Sequence, residues 1–423
     1  MNADGCGGAR LAVPNAMSDT ARDPLARYAD PAVRDLAWLL LSADLLRAQP
    51  HAPLAQPCAD AIDDADGKSA HAVADWLAQL DRDPSSLHAL LEAAHLTRLG
   101  RYAETLLAAW LTLGPAPRLV AANLALRHAG RTLGECDFLV ETADGSKLHW
   151  ELAVKCYLHA DMQEARAGRL ADFVGPNLRD RFDWKYVHLL DHQLRLTQRE
   201  EFAALGRGGP WLAQMFVKGW LFYRADLHAD DTAASAPELA AEHGRGWWIT
   251  QAEWTAFAER HGADGWSVLP RLAWLAPRHL GAHEFADRER ADIATNSQSS
   301  TASESGREVG GGAGEGGVAG ASARRVVGEP VSDSAGQLPG ESATASADET
   351  PTRKTEDDGG FLSRLAVARP TDAATLFAHL PRKHDPVMVA AFVADGAGGY
   401  IERSRGFIVP DDWPERARAF ALQ

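Results

Sequence analysis

The sequence predicts an α/β protein: a mixed β-sheet flanked by helices, with a helical N-terminal cap and one long disordered insertion. Three observations predict it. Apolar residues recur at helical spacing over about 31–113, the period shortens to two between 119 and 159, and no aromatic residue occurs between Phe285 and Phe361. The chain has 423 residues, 46% hydrophobic and 24% charged, which is enough apolar material for a sizeable core. This composition excludes collagen, coiled coil, a wholly disordered chain and a disulfide scaffold.

The helical region comes first. Leu36, Leu39 and Leu40, then Trp76, Leu77 and Leu80, then Leu87, Leu90 and Leu91 after the Asp83-Pro84 start signal, mark successive apolar faces. A further helix is expected over about 99–113, with Leu99, Tyr102, Leu106, Trp110 and Leu113 on one face. Glu104 flanks that face and reads as mostly exposed. Residues 119–127, 132–141 and 147–159 then read as three consecutive strands, the last two joined by a turn around Ala143-Asp144-Gly145-Ser146. A long helix is expected at about 177–197 after Gly175-Pro176, and a fourth strand at 211–223. Residues 247–280 are rich in tryptophan, and Thr250-Gln-Ala-Glu253 is a candidate capping box for a helix through Trp254 and Phe257. Segments 386–393 and 400–409 flank a Gly-rich turn and read as a hairpin that rejoins the main sheet.

Between 291 and 360 lie 13 of the 37 glycines, with 5 Lys/Arg against 12 Asp/Glu. Such a stretch buries too little apolar surface to offset its ordering entropy, so it reads as a disordered, acidic linker. The expected organisation is a disordered N-terminus (1–25), a helical region (26–98), a core (99–290), the insertion (291–360) and a C-terminal hairpin (361–423) completing the core.

No apolar run approaches the ~20 residues of a membrane helix, the richest being Leu36–Leu41. The first residues lack the apolar stretch of a secretory signal, so a cytoplasmic protein without a membrane partner is expected. Cys6, Cys58, Cys136 and Cys156 form no CxxC or His-linked pattern and read as free thiols.

Chemistry enters through strand register. If 132–141 and 147–159 pair antiparallel with residue numbers summing to 288, Cys136, Phe138 and Val140 face Leu152, Trp150 and Leu148 on a wholly apolar face. The opposite face then sets Asp137 against Glu151, Glu135 against Ala153 and Leu139 against His149. Directly opposed side chains have Cβ atoms about 4.5–5.5 Å apart, so like charges there need a compensating cation. Lys155 lies on the same face as Glu151, with Tyr157 and His159 beyond it. Paired carboxylates with a lysine match what Mg²⁺-assisted phosphoryl transfer requires: hard oxygen ligands, and an amine to orient a water or offset developing charge. A solvated strand face on which Lys155 balances the acids accounts for the same residues.

Gly134-x-x-Asp137, the hairpin, Glu151 and Lys155, preceded by a helix bearing Glu104, resemble the PD-(D/E)XK nuclease superfamily. More narrowly, Gly130-Arg-Thr-Leu-Gly-Glu-Cys-Asp-Phe138, His149-Trp-Glu-Leu-Ala-Val-Lys155, Gly175-Pro-Asn177, His192-Gln-Leu194 and Ser404-Arg-Gly-Phe407 are similar to the bacterial domain of unknown function 1853 family. That similarity is expected over nearly the whole chain apart from the first 25 or so residues and the insertion. The superfamily resemblance implies a restriction-endonuclease-like fold and Mg²⁺- or Mn²⁺-dependent phosphodiester hydrolysis of DNA or RNA. Asp137 and Glu151 would bind the metal, Lys155 would serve the attacking water, and Glu104 would complete the acidic set. One departure stands out. The usual pattern places an acid two residues before the lysine, where this chain has Ala153; Glu151 lies four residues from Lys155, about 13 Å along the strand. Glu135 could take up a ligand role. The alternative reading is a catalytically inactive nuclease-like fold serving as a nucleic-acid or protein binding module.

His188 and His192 stand at i, i+4 on the following helix, a spacing that can bind zinc, but no HExxH glutamate accompanies them. A polar helix face satisfies the same pattern, and His192 with Gln193 could instead line the cleft. The tryptophans of 247–274 could stack on unpaired bases, although helical spacing favours core packing. The formal net charge is −15, which on its face argues against a phosphate-bearing partner. Residues 101–224, however, hold 16 Lys/Arg and 14 Asp/Glu, so the acidity lies mainly outside the candidate site. Weak, metal-assisted and salt-sensitive binding is the resulting expectation.

Overall fold

Asp30 starts the first helix. Its carboxylate accepts the N–H groups of Ala32 and Val33, and Pro31 fills the first turn of α1 (Pro31–Leu41), where a missing donor costs nothing. In a computed structural model that describes residues 24–58, 68–160, 168–225, 236–282, 360–381 and 384–423, α1 is followed by α2 (Lys68–Arg82), α3 (Ser85–Ala93) and α4 (Leu99–Leu113). The described residues all belong to one compact unit. Cys6, most of the N-terminal segment expected to be disordered and all but Gly360 of the insertion lie outside the described residues; Leu25 is already buried in the core. No helix among the described residues is long and apolar enough to cross a membrane.

The apolar faces of these helices, through Leu36, Leu77, Leu87, Leu106 and Trp110, pack against Phe138, Val140, Trp150 and Leu152 of the sheet. Trp110 stacks on Trp150 with ring centroids 6.4 Å apart. Burying large apolar side chains of this kind contributes roughly 1.5–3 kcal/mol each.

The strands are β1 (Arg118–His128), β2 (Arg131–Glu141), β3 (Lys147–His159), β4 (Phe173–Val174), β5 (Leu212–Arg224), β6 (Gly244–Thr250), β7 (Gly265–Val268), β8 (His279–Leu280), β9 (Val387–Ala394) and β10 (Tyr400–Val409). Between them lie α5 (Phe182–Asp191), α6 (Glu200–Ala203) and α7 (Trp254–His261). The sheet order is β1-β2-β3-β5-β6-β10-β9-β7, with β4 on β3 and β8 on β10. Its centre, β3-β5-β6-β10, is parallel; both flanks are antiparallel. The mixed sheet flanked by helices is as the sequence predicts, and the hairpin β9-β10 does rejoin it, with β10 lying against β6.

Three local expectations are corrected, and one strand is added. The helix expected over 177–197 is shorter and broken. A turn in which the Gly175 N–H donates to the Asp180 carbonyl, with Leu178 at φ +53°, delays α5 until Phe182; His192 then ends it, and a separate 3₁₀ turn follows over Gln193–Gln198. Trp247 and Trp248 lie on β6, a strand that alternation does not reveal because it is buried between two parallel neighbours. The capping box is half formed: Glu253 reaches back to the Thr250 N–H at 2.9 Å, while Glu253 itself occupies the cap position of α7. Finally, the β2–β3 ladder has the predicted sum of 288 at Phe138–Trp150, Leu139–His149, Val140–Leu148 and Glu141–Lys147, but ends there. Cys136–Leu152, Asp137–Glu151 and Glu135–Ala153 are not ladder pairs, and Cys136 joins a separate cluster with Leu126, Leu139, Leu196 and Phe202.

Candidate functional site

Past Phe138 and Trp150, β2 leaves β3 while remaining paired to β1 as far as Arg131. Two carboxylates occupy the fork and replace the missing ladder bonds. The Leu152 N–H donates to Asp137 Oδ2 at 2.9 Å, and the Asp137 N–H donates to Glu151 Oε1 at 3.4 Å. Asp137 and Glu151 are therefore brought together as the sequence predicts, through side chain–backbone bonds in place of strand pairing.

Gly134 allows the site to be covered. A Cβ there would lie 2.8 Å from Leu196 Cδ2 and 3.0 Å from His192 Cε1, so only glycine lets the 3₁₀ turn settle against β2 without displacement. The turn carries Gln193 over the fork, where its Nε2 donates to Glu151 Oε2 at 2.7 Å. Lys185, from α5, donates to Gln193 Oε1 at 2.6 Å. On the other side of Glu151, His149 Nε2 lies 2.7 Å from Oε1. With Glu151 ionised, that nitrogen carries the proton, because a carboxylate only accepts. Burial pushes the His149 imidazole down to about 4, so it is neutral at physiological pH.

Glu151 and His149 are completely buried. Burial pushes the Glu151 carboxyl well up from its ordinary value, against the pull of Lys185; Asp137 is raised by burial, by Glu151 and by Glu104. Among the described residues no lysine or arginine forms an ion pair with either carboxylate; the one titratable nitrogen within ion-pair distance is that of His149, which is neutral. Two desolvated carboxylates thus share one fork without a direct cationic partner, an arrangement that favours a bound proton or a bound cation.

Glu104 is corrected from exposed to largely buried, at 18% side-chain exposure, because α4 lies against the sheet. Arg101 Nη1 holds it at 2.6 Å and also donates to Asn123 Oδ1 at 3.0 Å. Burial and Glu135 raise its carboxyl, and it in turn raises Asp137 and Glu151, so it belongs to the same acidic field. Glu135 is exposed on β2 at the edge of that field.

Lys155 does not touch the carboxylate pair. Its Nζ donates to Asp180 Oδ2 at 2.6 Å, an oxygen that also accepts from Tyr157 Oη at 3.0 Å. The Arg181 N–H holds the other Asp180 oxygen at 2.9 Å. Opposite Lys155, Gly219 on β5 has φ +143°, and a Cβ there would fall 1.7 Å from the Lys155 carbonyl oxygen; the two strands can approach only without a side chain.

Lys185 and Asp180 escaped the sequence reading. The signal for Lys185 was present: it stands three residues after Phe182 and four before Leu189, on the face that α5 buries. A lysine on an apolar stripe needs an internal reason. Asp180 carried no such signal, because the turn that aims it forms only in the folded chain.

The other candidates are placed differently. His188 and His192 stack with ring centroids 4.9 Å apart, and among the described residues no group of three or more His, Cys, Asp or Glu is drawn together closely enough to hold a metal. Trp247, Trp254 and Trp266 are core residues, packed with Phe257 and Ile408 and closed to bases. Cys58, Cys136 and Cys156 are free thiols.

No curated protein and no solved structure matches the chain. A family model does. It describes a domain of unknown function, DUF1853, and matches residues 34–307, a span that holds every residue of the fork but ends before the C-terminal hairpin that the sequence reading had included. Since this match covers more than half of the 423 residues, the chain belongs to the DUF1853 family.

Proposed function

We propose that the protein hydrolyses phosphodiester bonds in DNA or RNA with a divalent cation, Mg²⁺ or Mn²⁺, held by Asp137 and Glu151. The observation that carries the reading is the pair of carboxylates in the strand fork, Glu151 fully buried and Asp137 half-buried, without an ion-paired lysine or arginine among the described residues. A donor set of two carboxylates fits Mg²⁺, which keeps several of its waters and takes one or two carboxylates plus substrate phosphate. Such an ion supplies charge for the phosphate oxygens and lowers the pKa of a water.

The protein's own groups have distinct tasks in this reading. Leu152 N–H fixes one oxygen of Asp137, and among the described residues the other has no hydrogen-bond donor. Gln193 and His149 orient Glu151 from opposite sides. Glu104 adds negative charge from α4, and the Lys185 amine supplies positive charge beside the fork. The resemblance to PD-(D/E)XK nucleases agrees with this division between acids on β2 and β3 and nearby amines.

The test is incubation of the purified full-length protein with Mg²⁺ or Mn²⁺ and single- and double-stranded DNA and RNA. Cleavage that disappears in Asp137→Ala and in Glu151→Gln is expected; cleavage undiminished in either variant would overturn the assignment. A second reading rests on Ala153, buried where the superfamily pattern has an acid. It is a binding module without turnover, with nucleic-acid affinity that falls steeply with salt and no product with any divalent ion.

A further inference from the structure

Two lysines lie beside the fork, and they are not equivalent. Lys155 donates to Asp180 Oδ2 at 2.6 Å, and Asp180 is itself held by Tyr157 and by the Arg181 N–H. This amine is occupied by its own carboxylate. Lys185 has no acid within ion-pair distance among the described residues; its Nζ bonds Gln193 Oε1 at 2.6 Å, and the same amide donates to Glu151 Oε2 at 2.7 Å. One amide group therefore separates the Lys185 amine from the carboxylate pair.

The amide is oriented by its two partners. An ammonium can only donate, so it takes the amide oxygen, and this leaves the NH₂ end to face the carboxylate. If Gln193 were turned over, it would present a donor to a donor and an acceptor to an acceptor. The Lys185–Gln193–Glu151 chain thus has one sense, and Gly134 lets the 3₁₀ turn bring it into place.

We infer that Lys185, wired through Gln193, is the positioning residue for the carboxylate pair, and that Lys155 is a structural cation for Asp180. The inference rests on the two-carboxylate reading above and assigns the amine within it. The positions of the two lysines agree with it. Both amines are half-buried, but Lys185 stands on the inner face of α5 with Glu151 and Asp137 acting on it, whereas Lys155 is paired to Asp180.

The experiment compares wild type, Lys185→Met, Lys185→Arg, Gln193→Ala and Lys155→Met, all as full-length protein, by Mn²⁺ titration and by nucleic-acid cleavage. Removal of a neighbouring positive charge favours cation binding, so Lys185→Met is expected to bind Mn²⁺ about ten-fold more tightly. Its cleavage rate falls at the same time. Opposite signs in the two measurements are what a merely structural lysine would not produce, since local misfolding lowers both. Lys185→Arg keeps the wild-type Mn²⁺ affinity, Gln193→Ala loses cleavage with less change in affinity, and Lys155→Met changes Mn²⁺ affinity less than about two-fold.

Equal Mn²⁺ affinities in Lys185→Met and Lys155→Met, or no Mn²⁺ uptake by wild type, would overturn the inference. Absence of cleavage with the Mn²⁺ differences intact would instead overturn the nuclease reading and leave the wiring of Lys185 standing.

Discussion

At the scale of the residue, the fork is governed by desolvation. Glu151 is raised to about 8 and Asp137 is raised as well, so the folded protein binds protons that the unfolded chain releases near the ordinary carboxylate range. The sign follows directly. For a group whose folded pKa lies above its unfolded value, stability is fully present below the unfolded pKa and is lost as pH rises through the folded one. In EDTA, the difference in melting temperature between wild type and Glu151→Gln is expected to shift in favour of the variant between pH 6 and pH 9. Added Mg²⁺ at pH 8 should restore wild type and leave the variant unchanged. A wild-type advantage that grows with pH in EDTA would contradict the assignment. His149 runs in the opposite direction: its depressed pKa contributes stability above about 6.5 that is lost as pH falls toward 4.

Elements act here by where they stop pairing. β2 and β3 keep the register that alternating apolar residues predict, and the site forms where that register is abandoned. Gly134 is the residue through which the next element enters. Gly134→Val drives a branched side chain into Leu196 and His192, and overpacking of this kind costs about 1–3 kcal/mol. The expected result is a lower denaturation midpoint together with loss of cleavage, as the turn bearing Gln193 lifts away; a variant with unaltered cleavage would show that Gln193 reaches Glu151 by another route. The same logic separates what was legible in the sequence from what was not. Alternation along β2 and β3 identified Asp137 and Glu151 as neighbours, because a one-residue slip would have exposed Phe138 and Trp150. The partners from α5 and the 3₁₀ turn were not legible. Their positions depend on a helix that begins five residues later than expected, at Phe182, after the turn closed by Gly175 and Asp180, and ends at His192, where the 3₁₀ turn takes over; apolar spacing marks neither boundary. β6 was missed for a related reason: a strand covered on both edges by parallel neighbours has no polar face to betray it.

For the molecule as a whole, the two ends of the described chain are joined by a buried ionic chain. Arg278 Nη2 donates to Asp35 of α1 at 2.8 and 3.0 Å, and its backbone N–H donates to Glu402 of β10 at 2.8 Å. Arg405 clasps Glu402 at 2.6 and 2.9 Å, and Tyr102 of α4 donates to Asp35 at 2.9 Å. Two acids and two guanidiniums balance, so removal of one leaves an uncompensated buried charge. Arg278→Met is expected to lower the unfolding free energy by about 3–5 kcal/mol, measured by denaturant titration, whereas a surface pair such as Arg416–Asp412 should contribute less than about 1 kcal/mol.

The sheet order carries a consequence for biosynthesis. β9 and β10 lie between β6 and β7, so strands made after β6 and β7 become interior members of the sheet. Until residue 409 has emerged, β6 and β7 present open edges, and unpaired edges invite pairing between nascent chains. A message truncated after residue 381 is therefore expected to yield insoluble protein even though it encodes the whole carboxylate fork. Solubility is thus expected to rest on β9 and β10, far in sequence from the chemistry they protect.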